Sequence, residues 1–346
     1  MPKRRIAFSL VLAASTLTSF VMTTSAHAQK PFRVEQRWPI GGAGGWDYIT
    51  VDPQAHRLYI AHQTRIDVVD TNTGKVIGAV QGLVRCHGVV ISPDGKTGFA
   101  SDGGANNVVV FDPNSFATLT TIPAGTNPDG MVYERSTNTL WAFNGTSKNA
   151  TIIDATGRAV VGTTALPGKP EFPTTDDKGT VFVNIEDKNE IVRLDAKTQQ
   201  VTATWPLAGC DSPSGLAFDR TGVRLFSVCD GKKMAITDAH TGKSLGTPTI
   251  GDGPDAAAYD SNKKLAFASN GEGTLTVVDA GKPGYAVQQT LPTMKGARTM
   301  TLDPVTGKIY TVTAQFGATP PATTAAPHPR PSIVPGSFTV LVIGQD

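Results

Sequence analysis

At seven places in this chain one polar residue stands five positions ahead of a turn-forming anchor. These residues are Asp47, His87, Asp129, Glu171, Ser214, Asp255 and Arg298, and the anchors are Asp52, Ser92, Glu134, Asp176, Asp219, Asp260 and Asp303. The steps between the seven are 40, 42, 42, 43, 41 and 43 residues. A period of that length, filled with short strands, belongs to the blade of a β-propeller. Seven blades in a ring bring the seven polar residues around one axis, so the feature that sets the fold also shows where to look for function.

Each period reads as four strands. A short apolar run between the polar residue and its anchor is the innermost strand. A turn such as Ser92-Pro93-Asp94-Gly95 follows, then a second strand, then a third that is rich in β-branched residues and mostly ends in Asp. Pro and Gly supply the backbone angles such turns need. A Thr-Gly or Asn-Thr turn leads to the outer strand. The expected fold is all-β: a seven-bladed β-propeller of four-stranded blades, with residues 29–346 as one domain. The seventh blade lacks an outer strand of its own, and an orphan strand at 32–40 is expected to complete it, covering edges that would otherwise invite aggregation. Residues 315–336, rich in Pro, Ala and Thr, interrupt that blade between its second and third strands. They read either as a surface loop of polyproline character or as a lid over the channel.

The first 28 residues read as a targeting segment. Lys3, Arg4 and Arg5 open it, a largely apolar run follows, and Ala26-His27-Ala28 fits a small-x-small cleavage site. Its removal takes three positive charges and lowers the formal net charge from +2 to −1. The mature chain is therefore not basic and offers no electrostatic case for nucleic-acid binding. No other run is long and apolar enough to span a bilayer. A periplasmic or secreted monomer is expected, and its partner is a small ligand or a periplasmic protein.

The start of each inner strand and the end of each second strand share one face of the ring, the top. The second-strand ends are His62, Asp102, Asn144, Glu186, Cys229, Asn270 and Thr313. Carboxylates converging on a cavity repel one another, and a bound cation relieves that repulsion. Asp129, Glu171 and Asp255 with Asn270 are candidate ligands for Ca²⁺ or Mg²⁺. Adding His87 or His62 widens the choice to Zn²⁺ or Mn²⁺. Such a metal beside His87, His62 or Arg298 is a candidate catalytic centre. Three occupants of the ring are compatible with these residues: water with internal ion pairs, a divalent ion, or an organic anion at Arg298. The candidate ligand-binding set is Asp47, His87, Asp129, Glu171, Asp255 and Arg298. Of the three cysteines, Cys210 and Cys229 fall at the top of one blade, where a disulfide is expected. Cys86 reads as a buried thiol or a soft-metal ligand.

The turns ISPDGK (91–96) and LDPVTGK (302–308), the outer turn VVDTNTGK (68–75), and the stretches GKPEF (168–172), NIEDKNEIV (184–192), PSGLAFD (213–219), SNGEGTLTVVD (269–279) and GARTMTLDP (296–304) resemble the YncE-like, or YVTN-repeat, propellers exported by bacteria. The resemblance covers essentially the whole mature chain. It implies a periplasmic seven-bladed propeller. Single-stranded DNA binding is associated with the namesake, and the charge of −1 argues against it here. Related propellers include metal-dependent lactonases and streptogramin lyases, which hold a divalent ion at the channel mouth with carboxylates, Asn and His. The expected function is ligand or partner binding at the top face, with a metal-dependent lactonase- or lyase-like enzyme as the alternative.

Overall fold

The structure, a computed structural model, describes residues 1–3, 30–323, 329 and 331–345. The expected leader falls almost wholly outside the described residues. Residues 31–346 form one compact unit. Among the described residues no helix is long and apolar enough to cross a membrane.

Seven four-stranded antiparallel sheets make up the compact unit. Six are built from consecutive strands, as in blade 2, where Cys86–Ile91, Gly98–Asp102, Asn107–Phe111 and Thr118–Pro123 pair in order. The seventh takes Met300–Leu302, Ile309–Thr313 and Thr339–Gly344 from the end of the chain and Arg33–Pro39 from its beginning. Trp38 pairs with Val340 and Arg33 with Gly344 across that closure.

Local chemistry explains why so many third strands end in Asp. Asp70 Oδ1 accepts from the Asn72 and Thr73 amides at 3.0 and 2.8 Å and so folds the outer turn. Asp112 and Asp238 do the same in their blades. A side chain that mimics a backbone acceptor makes the turn local and repeatable.

The core lies between blades. Trp38, Tyr310, Val340 and Val342 of blade 7 pack on Ile49, Leu58 and Ile60 of blade 1. On the other side of blade 7, Phe32, Ile309 and Ile343 pack on Leu265, Phe267 and Val277 of blade 6. Phe32 meets Phe267 edge-on with centroids 5.3 Å apart, while Trp38 lies against Gly74 of blade 1, where an added Cβ would fall 2.5 Å from the indole. Gly74 also sits at φ +69°, so turn and ring contact both exclude a side chain there. The closing segment thus seals two seams at once.

A disulfide joins Cys210, in the loop that leads into blade 5, to Cys229 at the end of that blade's second strand, with a Cα separation of 5.3 Å. It closes a short loop in the unfolded chain, so the Cys210→Ala/Cys229→Ala double variant is expected to lose about 2–4 kcal/mol. Urea unfolding of the variant, matched by wild type in reductant, checks this; equal stability would show that the bridge adds nothing to the blade.

The base of the 315–336 segment is zipped rather than loose. Phe316 forms a bridge with Ile333, the Gly317 amide donates to Ser332 O at 2.8 Å, and the Val334 amide donates to Gln315 O at 2.9 Å. Phe316 then lies 6.1 Å from Trp46, ring to ring. Residues 324–328 and 330 lie outside the described residues.

Candidate functional site at the channel mouth

Hydrogen bonds between neighbouring blades hold the ring positions. The Tyr48 amide donates to His87 O at 3.1 Å, Ser101 Oγ to Asp129 O at 2.6 Å, Ser214 Oγ to Asp255 O at 3.1 Å, and the Ala256 amide to Arg298 O at 3.2 Å. Gly130 allows this closeness: a Cβ there would stand 2.8 Å from Glu171 O and from Pro173 Cδ. Backbones laced this way aim the ring side chains from a rigid frame, as a binding site needs.

The ring side chains divide into three groups. Asp47 Oδ2 lies 2.6 Å from His87 Nδ1, and Asp129 Oδ1 lies 3.7 Å from the same nitrogen. Glu171 takes the ammonium of Lys169 at 2.6 Å, and Lys169 also bonds Glu186. Arg298 Nε stands 3.7 Å from Asp255 Oδ2 with half of its side chain exposed (50%), so it borders the ring without filling it. Ser214, the remaining ring position for which a side-chain bond is seen, donates to backbone carbonyls instead.

Burial dominates the titration of these groups. It raises Asp255 to about 6, with Arg298 pulling the other way and Asp47 and Asp129 adding to the rise. Asp129 is raised by burial against the opposing charge of His87. Glu171 is raised by burial and by Asp129, against Lys169. For His87, burial disfavours the imidazolium, but the Asp47 hydrogen bond and the charges of Asp129 and Asp47 outweigh it and leave the pKa above its ordinary value. The ring is a set of acids held out of water with too few cations among them, an arrangement characteristic of functional sites.

An aromatic floor lies below the ring. Tyr48 reaches from blade 1 to Phe172 of blade 4, with ring centroids 4.2 Å apart. Its hydroxyl stands 3.5 Å from where a Cβ on Gly130 would be. Burial and the charges of Asp129, Glu171, Asp47 and Asp255 all raise its pKa. The residues after the ring positions in blades 2, 3, 5 and 6 are Gly88, Gly130, Gly215 and Ala256, which leave room for the two large rings.

The second-strand ends serve the frame. His62 is fully buried, with Nδ1 2.7 Å from Asp67 Oδ2 and its ring 4.3 Å from Phe338. Asn270 is also fully buried and donates to Thr274 and Thr276 of its own hairpin. Asp102 accepts the Val84 and Arg85 amides, and Thr313 donates to Lys295 O. Sequence reasoning placed His62 and Asn270 with the ring acids; the structure does not bring them there. Nor does it gather Asp129, Glu171 and Asp255 on one point, because Glu171 faces Lys169 and Asp255 faces Arg298. Among the described residues the group whose ligand atoms come within 4.8 Å of one another is Asp47, His87 and Asp129. Cys86 is a buried thiol donating to Arg65 O, with burial pushing its pKa to about 12, so it offers no thiolate.

Glu186 was expected at the top as a second-strand end, whereas its partner Lys169 is a residue that the repeat did not single out. Lys169 lies two residues before Glu171, and alternate residues of an extended chain share a face, so the pairing was open to a local reading.

Beside the ring at the mouth lies a cleft of 340 Å³ with Trp46, Phe316, Pro331 and Ile333 on its apolar wall and Lys295 and Arg298 as its cations. A larger polar cleft of 670 Å³ opens at the opposite face between blades 2 and 3, by Asp94, Lys96, Tyr133, Arg135 and Arg158. It touches none of the ring residues.

No protein-family model matches the chain, and no curated protein matches it. Solved structures do. A chain of Kuenenia stuttgartiensis hydrazine synthase superposes with a TM-score of 0.73 at 16% identity, covering 89% of this chain and 98% of that one. The WD40 repeats of RRP9 give 0.74 at 11% identity, covering 91% and 99%. U3-55K gives 0.73 at 10% identity, also covering 91% and 99%. At such identities the likeness is one of fold, and the chain is a seven-bladed β-propeller with WD40-like neighbours.

Proposed function

We propose that this chain is an exported, periplasmic propeller of the YncE-like kind that binds a small organic acid at its channel mouth. The cleft beside the ring carries this reading, because it joins an apolar wall to two cations. Lys295 is exposed and makes no ion pair among the described residues, and Arg298 is only loosely held by Asp255. An amphiphilic carboxylate matches that lining: its apolar body meets Trp46, Phe316 and Ile333, and its charge meets the guanidinium and the ammonium. Export is supported by the basic, apolar and small-residue order of residues 1–28 and by the Cys210–Cys229 bridge, a bond that persists in oxidising compartments.

Titration with phenylacetate and decanoate, followed by Trp46 fluorescence, tests the reading. Saturable binding that weakens at least about ten-fold in Lys295→Ala/Arg298→Ala is expected, since charge-assisted bonds of this kind contribute about 1.5–3 kcal/mol each. No response to either acid, or equal binding by the double variant, would overturn it. A second reading, a divalent-metal-dependent lactonase- or lyase-like enzyme at the same mouth, draws on the Asp47–His87–Asp129 group. Turnover of simple lactones by metal-loaded protein would favour that reading.

A further inference from the structure

We infer that Asp47, His87 and Asp129 form a binding site for a divalent transition metal of the zinc or manganese type. The inference stands whether or not the cleft takes an acid. The three residues occupy the same register in three consecutive blades. Asp47 Oδ2 is 2.6 Å and Asp129 Oδ1 3.7 Å from His87 Nδ1, and the three ligand atoms fall within 4.8 Å of one another. Bonds of about 2.0–2.2 Å from one ion to an imidazole nitrogen and two carboxylate oxygens need only small side-chain rotations from that arrangement. The backbones need not move, because the Tyr48 amide bonds His87 O and Ser101 bridges the Gly88 amide to Asp129 O.

A second observation points the same way. The second ring nitrogen of His87, Nε2, is buried and has no hydrogen-bond partner among the described residues, so only the contact at Nδ1 fixes the imidazole. The ion would also offset the mutual repulsion of acids drawn out of water.

The ligand set selects the metal. Calcium prefers six to eight oxygens, whereas one imidazole and two carboxylates suit zinc or manganese and leave positions open for water or a ligand. On binding, the proton shared between His87 Nδ1 and Asp47 leaves to solvent, and the nitrogen lone pair goes to the ion.

The mature, disulfide-bonded protein is stripped with chelator and titrated calorimetrically with Zn²⁺, Mn²⁺ and Ca²⁺. Co²⁺ is used in parallel as a spectroscopic probe. One equivalent of Zn²⁺ or Mn²⁺ is expected to bind more tightly than Ca²⁺, with visible Co²⁺ bands. Affinity should fall at least about ten-fold in each of Asp47→Asn and Asp129→Asn, near-isosteric changes that retain the fold by circular dichroism. Asp94→Asn, on the opposite face, should bind as wild type. No stoichiometric ion, a preference for Ca²⁺, or binding that survives both ring variants would overturn the inference. Acid binding in the cleft is followed separately in the stripped protein, so failure of one reading leaves the other standing.

Discussion

A chain shortened to begin at residue 41 is expected to lose cooperative unfolding. The deletion removes the strand Arg33–Pro39 and bares the edge of Thr339–Gly344, which it covers. It also takes Phe32 from the seam with blade 6 and Trp38 from the seam with blade 1. Truncating one buried Phe or Trp costs about 3–5 kcal/mol, so losing two, together with a whole ladder, matches or exceeds the 5–15 kcal/mol that holds a typical domain together. Near-UV circular dichroism through a urea titration reads the outcome, and a peptide of residues 31–40 added in trans should restore the transition. A sharp wild-type-like transition without the peptide would show that the ring holds with blade 7 three-stranded.

The second large effect concerns charge. The carboxyl of Asp255 has a folded pKa of about 6, raised from an ordinary 3.8 chiefly by burial. Because the folded state binds this proton more tightly than the unfolded chain does, its contribution to stability is fully present below about pH 4 and is lost as pH rises through about 6. Asp255→Asn removes the charge and keeps the shape. In chelated protein the variant is expected to equal wild type at pH 4 and to exceed it by about 2–3 kcal/mol at pH 7.5, at about 1.4 kcal/mol per unit. Urea midpoints at the two pH values check this. A variant less stable than wild type at pH 7.5 would mean that the contact with Arg298 outweighs burial.

The architecture was open to reading because it rests on local, repeated chemistry. The acids at strand ends fold their own turns, as at Asp70, and the even spacing of Asp47, His87, Asp129 and the rest follows from equal blades. The closing strand could be expected because one blade lacked a strand and one strand lacked a blade. Side-chain direction was not open in the same way. His62 and Asn270 stand where a ring of ligands seemed due, yet Asp67 in the neighbouring strand draws His62 inward, and Thr274 and Thr276 hold Asn270. Those partners are ordinary polar residues whose role appears only when strands pair. The same holds for Tyr48. In sequence it is one more apolar residue of an inner strand, and only the meeting with Phe172, four blades into the chain, makes it a floor.

That floor governs traffic. Tyr48 of blade 1 and Phe172 of blade 4 meet with ring centroids 4.2 Å apart, so a molecule passing along the axis at this level would have to part the two rings.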